Sequence, residues 1–195
     1  MCSYLGAFPP PLANYFIRYF TNEKELVFDP FSGRGTTALE ARICNRKTVA
    51  TDLNPIALAL SEAKNYNLTK EEIFTRVEEL EKKYDHALYQ PEAMAQSDEV
   101  HLIFHPRTLA QLCYLRRKLL KSDKPVDKYL IGITLGVLHG GERANGSSGY
   151  ASIDMPNTFS MSPEYVRRFV QTNQLNRFYR DVFELLREKT ERLYS

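Results

Sequence analysis

Residues 26–41, LVFDPFSGRGTTALEA, decide the fold class of this 195-residue chain. The stretch starts with a short apolar run, which predicts a fully buried strand, and it ends in residues that favour a helix. Between them lie Asp29 and a turn that contains Gly33 and Gly35. Glycine permits backbone conformations and a close ligand approach that a Cβ atom would block. The stretch therefore predicts a strand, a binding turn and a helix.

The residues that follow complete a βαβ unit. KTVATD, residues 47–52, predicts a second strand that ends at Asp52, and PIALALSEAKN predicts a helix that begins at Pro55. Such units cross over right-handed and place ligands at the carboxyl ends of their strands. An acidic side chain at the end of the second strand commonly accepts hydrogen bonds from ribose hydroxyls. These features are typical of a site for an adenosine-containing cofactor.

A dinucleotide is the competing ligand, because Gly33, Gly35 and Ala38 also satisfy the G-x-G-x-x-A pattern. Asp29 argues against it, since a carboxylate beside the turn would repel a diphosphate. The repulsion is roughly 4 kcal/mol at 4 Å for an effective dielectric constant of 20. S-adenosylmethionine carries a sulfonium and an ammonium beside its adenosine, so Asp29 would attract it.

Three segments in order carry a family resemblance. DPFSGRGTT resembles the cofactor loop of DNA amino-methyltransferases, TDLNP resembles the segment at their second strand, and FPPPLANYFIRYFT resembles the helix that closes over the cofactor's methionine. The resemblance implies a Rossmann-like methyltransferase fold and methyl transfer from S-adenosylmethionine to the exocyclic amine of cytosine or adenine in DNA. It implies these cofactor contacts: Phe8, Pro9, Pro10, Asp29, Phe31, Gly33, Gly35, Thr36, Thr37, Asp52, Leu53 and Asn54.

One family motif is absent from the sequence. Amino-methyltransferases carry an Asp/Ser/Asn-Pro-Pro-Tyr/Phe tetrapeptide that grips the target amine, whereas the Pro-Pro run here, at residues 9–11, is followed by Leu12. An aromatic amine is a weak nucleophile and needs positioned acceptors at the methyl donor. The catalytic residues are therefore unknown, and the chain is expected to hold the cofactor half alone.

The remaining sequence predicts helices and few strands. Helices are expected at residues 10–21, 69–88, 105–121, 128–139, 162–170 and 180–194, with Thr69 and Glu72 in capping-box spacing. EVHLIF and GYASI are weak strand candidates. We therefore expect an α/β protein with an incomplete sheet and a large helical insertion, with residues 1–66 forming the cofactor-binding region and residues 67–195 a mainly helical region for DNA or partner binding. FHPRTLAQL and MPNTFSMSPEYV loosely resemble the inserted helical region of these enzymes.

An incomplete sheet requires a partner. A parallel sheet is normally covered on both faces, and two isolated strands are not stable. The missing strands and the tetrapeptide are expected from a second protein subunit or from further C-terminal chain.

DNA contacts are the next expectation, because basic side chains neutralise phosphates and a flipped base needs a mobile loop near the cleft. The loop at residues 140–149 fits this role. A charge run on a helix is more often a solvated face. The candidates are Arg116, Arg117, Lys118, Lys121, Arg143, Asn145, Arg167 and Arg168.

Composition and simple sequence patterns argue against several classes of protein. The net charge of +2, 43% hydrophobic residues and 26% charged residues are those of an ordinary globular protein. No apolar run reaches the roughly 18 residues of a membrane span, and the start MCSYLGAFPP lacks the regions of a signal peptide, so we expect a cytoplasmic protein without membrane contact. The three cysteines, read as packing residues, and the pair His101 and His105 lack metal-site spacing, so no metal is expected.

Two alternatives stay open from the sequence. The glycine loop is shared beyond DNA enzymes, so the substrate could be RNA or another amine. A non-catalytic subunit that binds a nicotinamide or other nucleotide in a Rossmann-type fold would also carry such a turn.

Overall fold

The computed structural model describes residues 8–141, 148–155 and 162–195. These residues are mostly helical and contain one small parallel sheet. The elements in chain order are α1 (Pro10–Phe20), β1 (Leu26–Asp29), α2 (Thr36–Ile43), β2 (Lys47–Ala50), α3 (Pro55–Ala63), α4 (Lys70–Lys82), α5 (His86–Met94), α6 (Asp98–Ile103), α7 (Pro106–Leu119), α8 (Pro125–Val137), α9 (Pro163–Thr172) and α10 (Val182–Tyr194).

The sheet consists of β1 and β2, which pair in parallel with Leu26 opposite Lys47 and Asp29 opposite Ala50. Helix α2 connects the strands and packs on both, and α1 packs on α2. The predicted strand, turn, helix and strand are confirmed. The prediction that β1 is fully buried is wrong, because the side chains of Leu26 and Phe28 are about 60% exposed.

The larger core belongs to the helices after residue 69. Side chains of α4, α5, α7, α8 and α10 surround the buried Tyr114 and Phe183, and the Tyr114 hydroxyl donates to the carbonyl of Leu80 at 2.7 Å. Helix α3 packs against α8 and joins this core to the βαβ unit. The predicted packing role of Cys44 and Cys113 agrees with their burial.

The predicted helix over residues 69–88 is two helices. The expected capping box is present, since the amide of Glu72 donates to the Thr69 hydroxyl and the Glu72 carboxylate accepts from the Thr69 amide. Helix α4 nevertheless ends at Lys82. The Asp85 carboxylate accepts from the Ala87 amide at 2.9 Å and starts α5, so a second N-cap interrupts the helix.

The weak strand candidates are not strands. Most of EVHLIF lies in α6, and GYASI contributes an isolated antiparallel bridge between Ser152 and Phe104. Over the described ranges the sheet therefore has two strands, in agreement with the predicted incomplete sheet. The remaining predicted helices are confirmed within a few residues, including the cap of Ser162 on α9. None of the helices seen is both long and apolar enough to cross a membrane.

Candidate cofactor site

The turn after β1 is built from short local hydrogen bonds. The Asp29 carboxylate accepts from the Phe31 amide at 3.0 Å, and the Gly35 amide donates to the carbonyl of Ser32 at 2.7 Å. Gly33 and Gly35 have φ angles of 50° and 77°. These left-handed conformations favour glycine, which explains both glycines of the turn.

Several hydrogen bonds fix this turn to the end of β2. The Thr51 amide donates to the Asp29 carbonyl at 2.9 Å, and the Ser32 amide donates to the Thr51 carbonyl at 2.9 Å. The Gly33 amide donates to Asp52 Oδ2 at 2.8 Å. The carboxyl ends of both strands and the glycine turn therefore form one unit, with Asp29 and Asp52 at the same edge of the sheet.

Asp52 is held as an anion by backbone amides. The Asn54 amide donates to Asp52 Oδ1 at 2.9 Å, and this bond, followed by that from Gly33, lowers the pKa of the Asp52 carboxyl. Each carboxylate oxygen can accept more than one hydrogen bond, so ribose hydroxyls can still donate to it. Asn54 also caps α3 by accepting from the Ile56 amide.

Helix α3 supplies two supporting residues that the sequence analysis missed. The buried Ser61 hydroxyl lies 3.2 Å from both Ser32 Oγ and the Gly33 carbonyl oxygen, so it can donate to the carbonyl and accept from the Ser32 hydroxyl. The Lys64 ammonium donates to the Arg34 carbonyl, and burial, with a smaller contribution from the charge of Arg34, lowers the pKa of Lys64 to about 8. The available signal was their spacing of three residues at the end of α3, which places two side chains on one face of a helix.

The other predicted cofactor residues lie around this centre. Thr36 is buried in the first turn of α2, and Pro9 and Pro10 form the start of α1. Phe8 and Thr37 line a groove between α1 and β1. Phe31 is 81% exposed and Leu53 fully exposed. The structure thus brings together Asp29, Gly33, Gly35, Thr36, Asp52 and Asn54.

Most of the predicted DNA-contacting cations lie beside acids. Arg116 and Arg117 both pair with Glu92, at 2.7 and 2.6 Å, and Lys118 lies over the ring of Tyr114. Arg167 pairs with Glu99 and Arg168 with Glu164. These partners reduce the positive potential that a phosphate would meet. Arg143, Asn145 and residues 142–147 of the predicted loop lie outside the described residues.

Metal-binding groups are absent from the residues that can be described. No cluster of three or more His, Cys, Asp or Glu side chains there could hold a metal ion. His105 instead accepts from the Arg107 amide at the start of α7.

A glycine turn follows β1, Asp29 ends β1 and Asp52 follows β2. This arrangement is typical of nucleoside-cofactor sites in α/β folds. Comparison with known proteins shows which protein family this part of the sequence resembles. Residues 3–65, which include this site, match the sequence model of a family described as DNA methylase. The segment that contains the candidate site is therefore similar to this DNA methylase family.

Two curated relatives are methyltransferases. Orphan methyltransferase M.BamHII of Bacillus amyloliquefaciens is 43% identical over 61 residues, which are 30% of this chain and 23% of the relative. Type II methyltransferase M.MjaII of Methanocaldococcus jannaschii is 26% identical over 129 residues, 65% of this chain and 24% of the relative. The matches thus span about a quarter of each relative. No solved structure gave a significant match.

Proposed function

We propose that this chain is the S-adenosylmethionine-binding part of a DNA amino-methyltransferase. In this proposal residues 1–66 are the cofactor-binding region of a Rossmann-like fold, and residues 67–195 are a helical region that contacts DNA or a partner. The match to M.MjaII extends over 129 residues and so beyond the cofactor region, which supports a shared origin for part of the helical region.

The observation that supports this proposal most strongly is the position of the Asp29 carboxylate at the glycine turn, on the same edge of the sheet as Asp52. An ionised carboxylate at this position repels a diphosphate and attracts a sulfonium or an ammonium. The first turn of α2 contains no acidic residue, and helix N-termini favour anions such as a ligand carboxylate. S-adenosylmethionine carries both kinds of charge, whereas a dinucleotide carries a diphosphate.

The Asp52 side of the site fits the nucleoside. The Asp52 carboxylate, which accepts hydrogen bonds from two backbone amides, follows β2. In sites of this class a carboxylate at this position accepts hydrogen bonds from the ribose hydroxyls. The methionine end of the cofactor would then lie toward Asp29, Thr36 and the start of α1. Phe31 and Leu53, which are exposed in the structure, would cover the adenine.

The methyl group would pass directly from the sulfonium to the amine of a flipped base, without a covalent enzyme intermediate. That step needs acceptors that bind the amine. The sequence has no Pro-Pro-Tyr/Phe motif to supply them. We therefore propose that the acceptors come from a second subunit or from a further segment.

Isothermal titration of the chain with S-adenosylmethionine and with NAD tests the cofactor. We expect S-adenosylmethionine to bind and NAD not to bind. Asp29→Asn should weaken S-adenosylmethionine about tenfold, which corresponds to about 1.4 kcal/mol, because it removes the attracting charge. Asp98→Asn, an exposed acid on α6, is the control and should bind like the unchanged chain. Tighter binding of NAD, or equal affinity in Asp29→Asn, would refute the proposal.

A further inference from the structure

Two arginines and a histidine lie close together at the start of α7. His105 is the N-cap of α7, and Arg107 lies in its first turn. Arg177, in the segment that joins α9 to α10, donates a hydrogen bond to the carbonyl of His101. Burial, followed by the positive charges of Arg107 and Arg177, lowers the pKa of His105, so both guanidinium groups lie near its imidazole. We name His105, Arg107 and Arg177, together with the ring of Tyr179, the α7 surface.

Neither guanidinium group of the α7 surface has an acidic partner among the described residues. The guanidinium of Arg107 contacts the Tyr179 ring, that of Arg177 contacts the His101 carbonyl, and neither forms an ion pair there. Asp98 lines the same cleft as Arg177 without pairing with it. The positive charge of this surface is therefore available to an anion from outside the chain.

The other end of α7 has cations of a different kind. Arg116 and Arg117 carry the same charge as Arg107, but both pair with Glu92, at 2.7 and 2.6 Å. An anion that approached them would have to compete with this carboxylate. Arg107 is therefore better placed than the other arginines of α7 to bind an external anion.

Polar contacts hold the α7 surface in place. The guanidinium of Arg107 lies 4.6 Å from the centroid of the Tyr179 ring, and the His105 ring lies 5.8 Å from it. The Tyr179 hydroxyl donates to Asp181 Oδ2 at 2.7 Å, and the buried Gln111 amide donates to both groups. The Asp181 carboxylate also accepts from amides at the start of α10, which offset its charge. A guanidinium that lies over a fixed ring keeps its N–H donors at its edge, where a phosphate can accept from them.

We infer that the α7 surface binds the phosphate backbone of DNA through Arg107 and Arg177. Arginine presents a planar set of donors that matches phosphate oxygens, and contacts to phosphates position a duplex without reading its sequence. The inference rests on the proposed function, in which the helical region contacts DNA or a partner. It assigns the DNA contact to the start of α7 instead of its basic end. Carboxylates of an acidic protein would also fit these guanidinium groups, but the match of residues 3–65 to a DNA methylase family favours DNA.

Titration of a fluorescently labelled DNA duplex with the full 195-residue chain tests the inference by anisotropy at several salt concentrations. Arg107→Gln and Arg177→Gln should each lower the affinity about fivefold and reduce the slope of log affinity against log salt by about 0.9, because each removes one phosphate contact. A purely structural role of these arginines would not change the salt slope. Circular dichroism of each variant would verify that the chain is folded.

Arg117→Gln is the matched control. It removes the same charge from the other end of the same helix, where Glu92 already neutralises it. Its affinity and its salt slope should remain those of the unchanged chain.

Three results would overturn the inference. They are the absence of duplex binding, unchanged affinity and salt slope in both Arg107→Gln and Arg177→Gln, and an equal loss in Arg117→Gln. Displacement of the duplex by poly-glutamate as readily as by unlabelled DNA would also overturn it, because an acidic protein would then be the partner.

Titration of the same chain with S-adenosylmethionine separates the two proposals. Cofactor binding, together with unchanged DNA affinity in the two variants, refutes the assignment of the α7 surface alone. Loss of DNA affinity in the two variants of a chain that does not bind the cofactor refutes the proposed function alone.

Discussion

The structure requires a glycine at position 35 for two reasons. Its φ of 77° lies in the left-handed region, and a Cβ atom there would lie 2.8 Å from both Cα and Oγ of Ser61. The glycine therefore permits the turn conformation and also the close approach of α3.

Gly35→Ala should destabilise the chain by about 1 to 3 kcal/mol, the range for a strained backbone position. It should also weaken S-adenosylmethionine, because Ser61 must move away from the turn. Gly141→Ala is the control, since its Cβ would meet no heavy atom closer than the Met155 carbonyl oxygen at 3.9 Å. Urea unfolding of both variants measures the difference. Equal stability of the two variants would contradict this account of Gly35.

Lys64 predicts a pH dependence. Its pKa is lowered to about 8, mainly by burial, from an ordinary value near 10.5. Between these pH values the unfolded chain binds more protons at this residue than the folded chain, so its contribution makes the folded state more stable as pH rises.

Unfolding free energies of the unchanged chain and of Lys64→Met should diverge between pH 8 and pH 10. The unchanged chain should gain up to about 1 kcal/mol relative to the variant, a value reduced for solvent screening of a partly exposed ammonium. Lys82→Met should not show this gain, because the hydrogen bond to Glu78 raises the pKa of Lys82. Parallel curves for the unchanged chain and Lys64→Met would refute this interpretation.

At the residue scale the sequence was informative where the chemistry is local. Asp29, Gly33, Gly35 and Asp52 are predicted because turns and strand ends have recognisable residue types, and the structure places these four residues close together. Ser61 and Lys64 were not found because their contacts to residues 32–34 depend on how α3 packs. One sequence does not specify that packing.

At the scale of the elements, helix α4 shows that capping residues in the sequence predict where a helix begins. Both hydrogen bonds of its capping box form between Thr69 and Glu72. Thr69→Ala removes one of them and should lower the unfolding free energy by about 1 kcal/mol. Thr75→Ala, at an exposed position inside the same helix, should be neutral or slightly stabilising because alanine favours helices. Thermal unfolding compares the two, and equal loss in both would show that the cap contributes nothing.

Two other segments show where the sequence does not predict the helices correctly. The helix over residues 69–88 was predicted as continuous because the apolar spacing continues past Asp85, yet the Asp85 carboxylate caps a new helix. EVHLIF alternates like a strand, but a short apolar run does not distinguish strand from helix. Its residues form most of α6, whose first turn contains Asp98 and Glu99.

At the scale of the whole molecule, burial is uneven among the described residues. The helices after residue 69 surround a continuous core, whereas α1 and the end of α2 share a small buried cluster of Ala13, Ile17, Ala41 and Cys44. Most of the large exposed apolar side chains lie between residues 8 and 58. The shortage of strands in the sequence predicted an incomplete sheet, whereas the exposure of Leu26 and Phe28 was not predicted. It could not show which surface stays open, because that depends on the side of the sheet on which α1, α2 and α3 pack.

Hydrogen–deuterium exchange of the chain with and without S-adenosylmethionine tests the central claim most directly. If the cofactor binds at the carboxyl ends of β1 and β2, amides of residues 29–37 and 52–54 will exchange more slowly in its presence, and those of α7 and α10 will be unchanged. NAD should produce no such protection. Unchanged exchange in both segments with S-adenosylmethionine, or protection of them by NAD instead, would contradict the account.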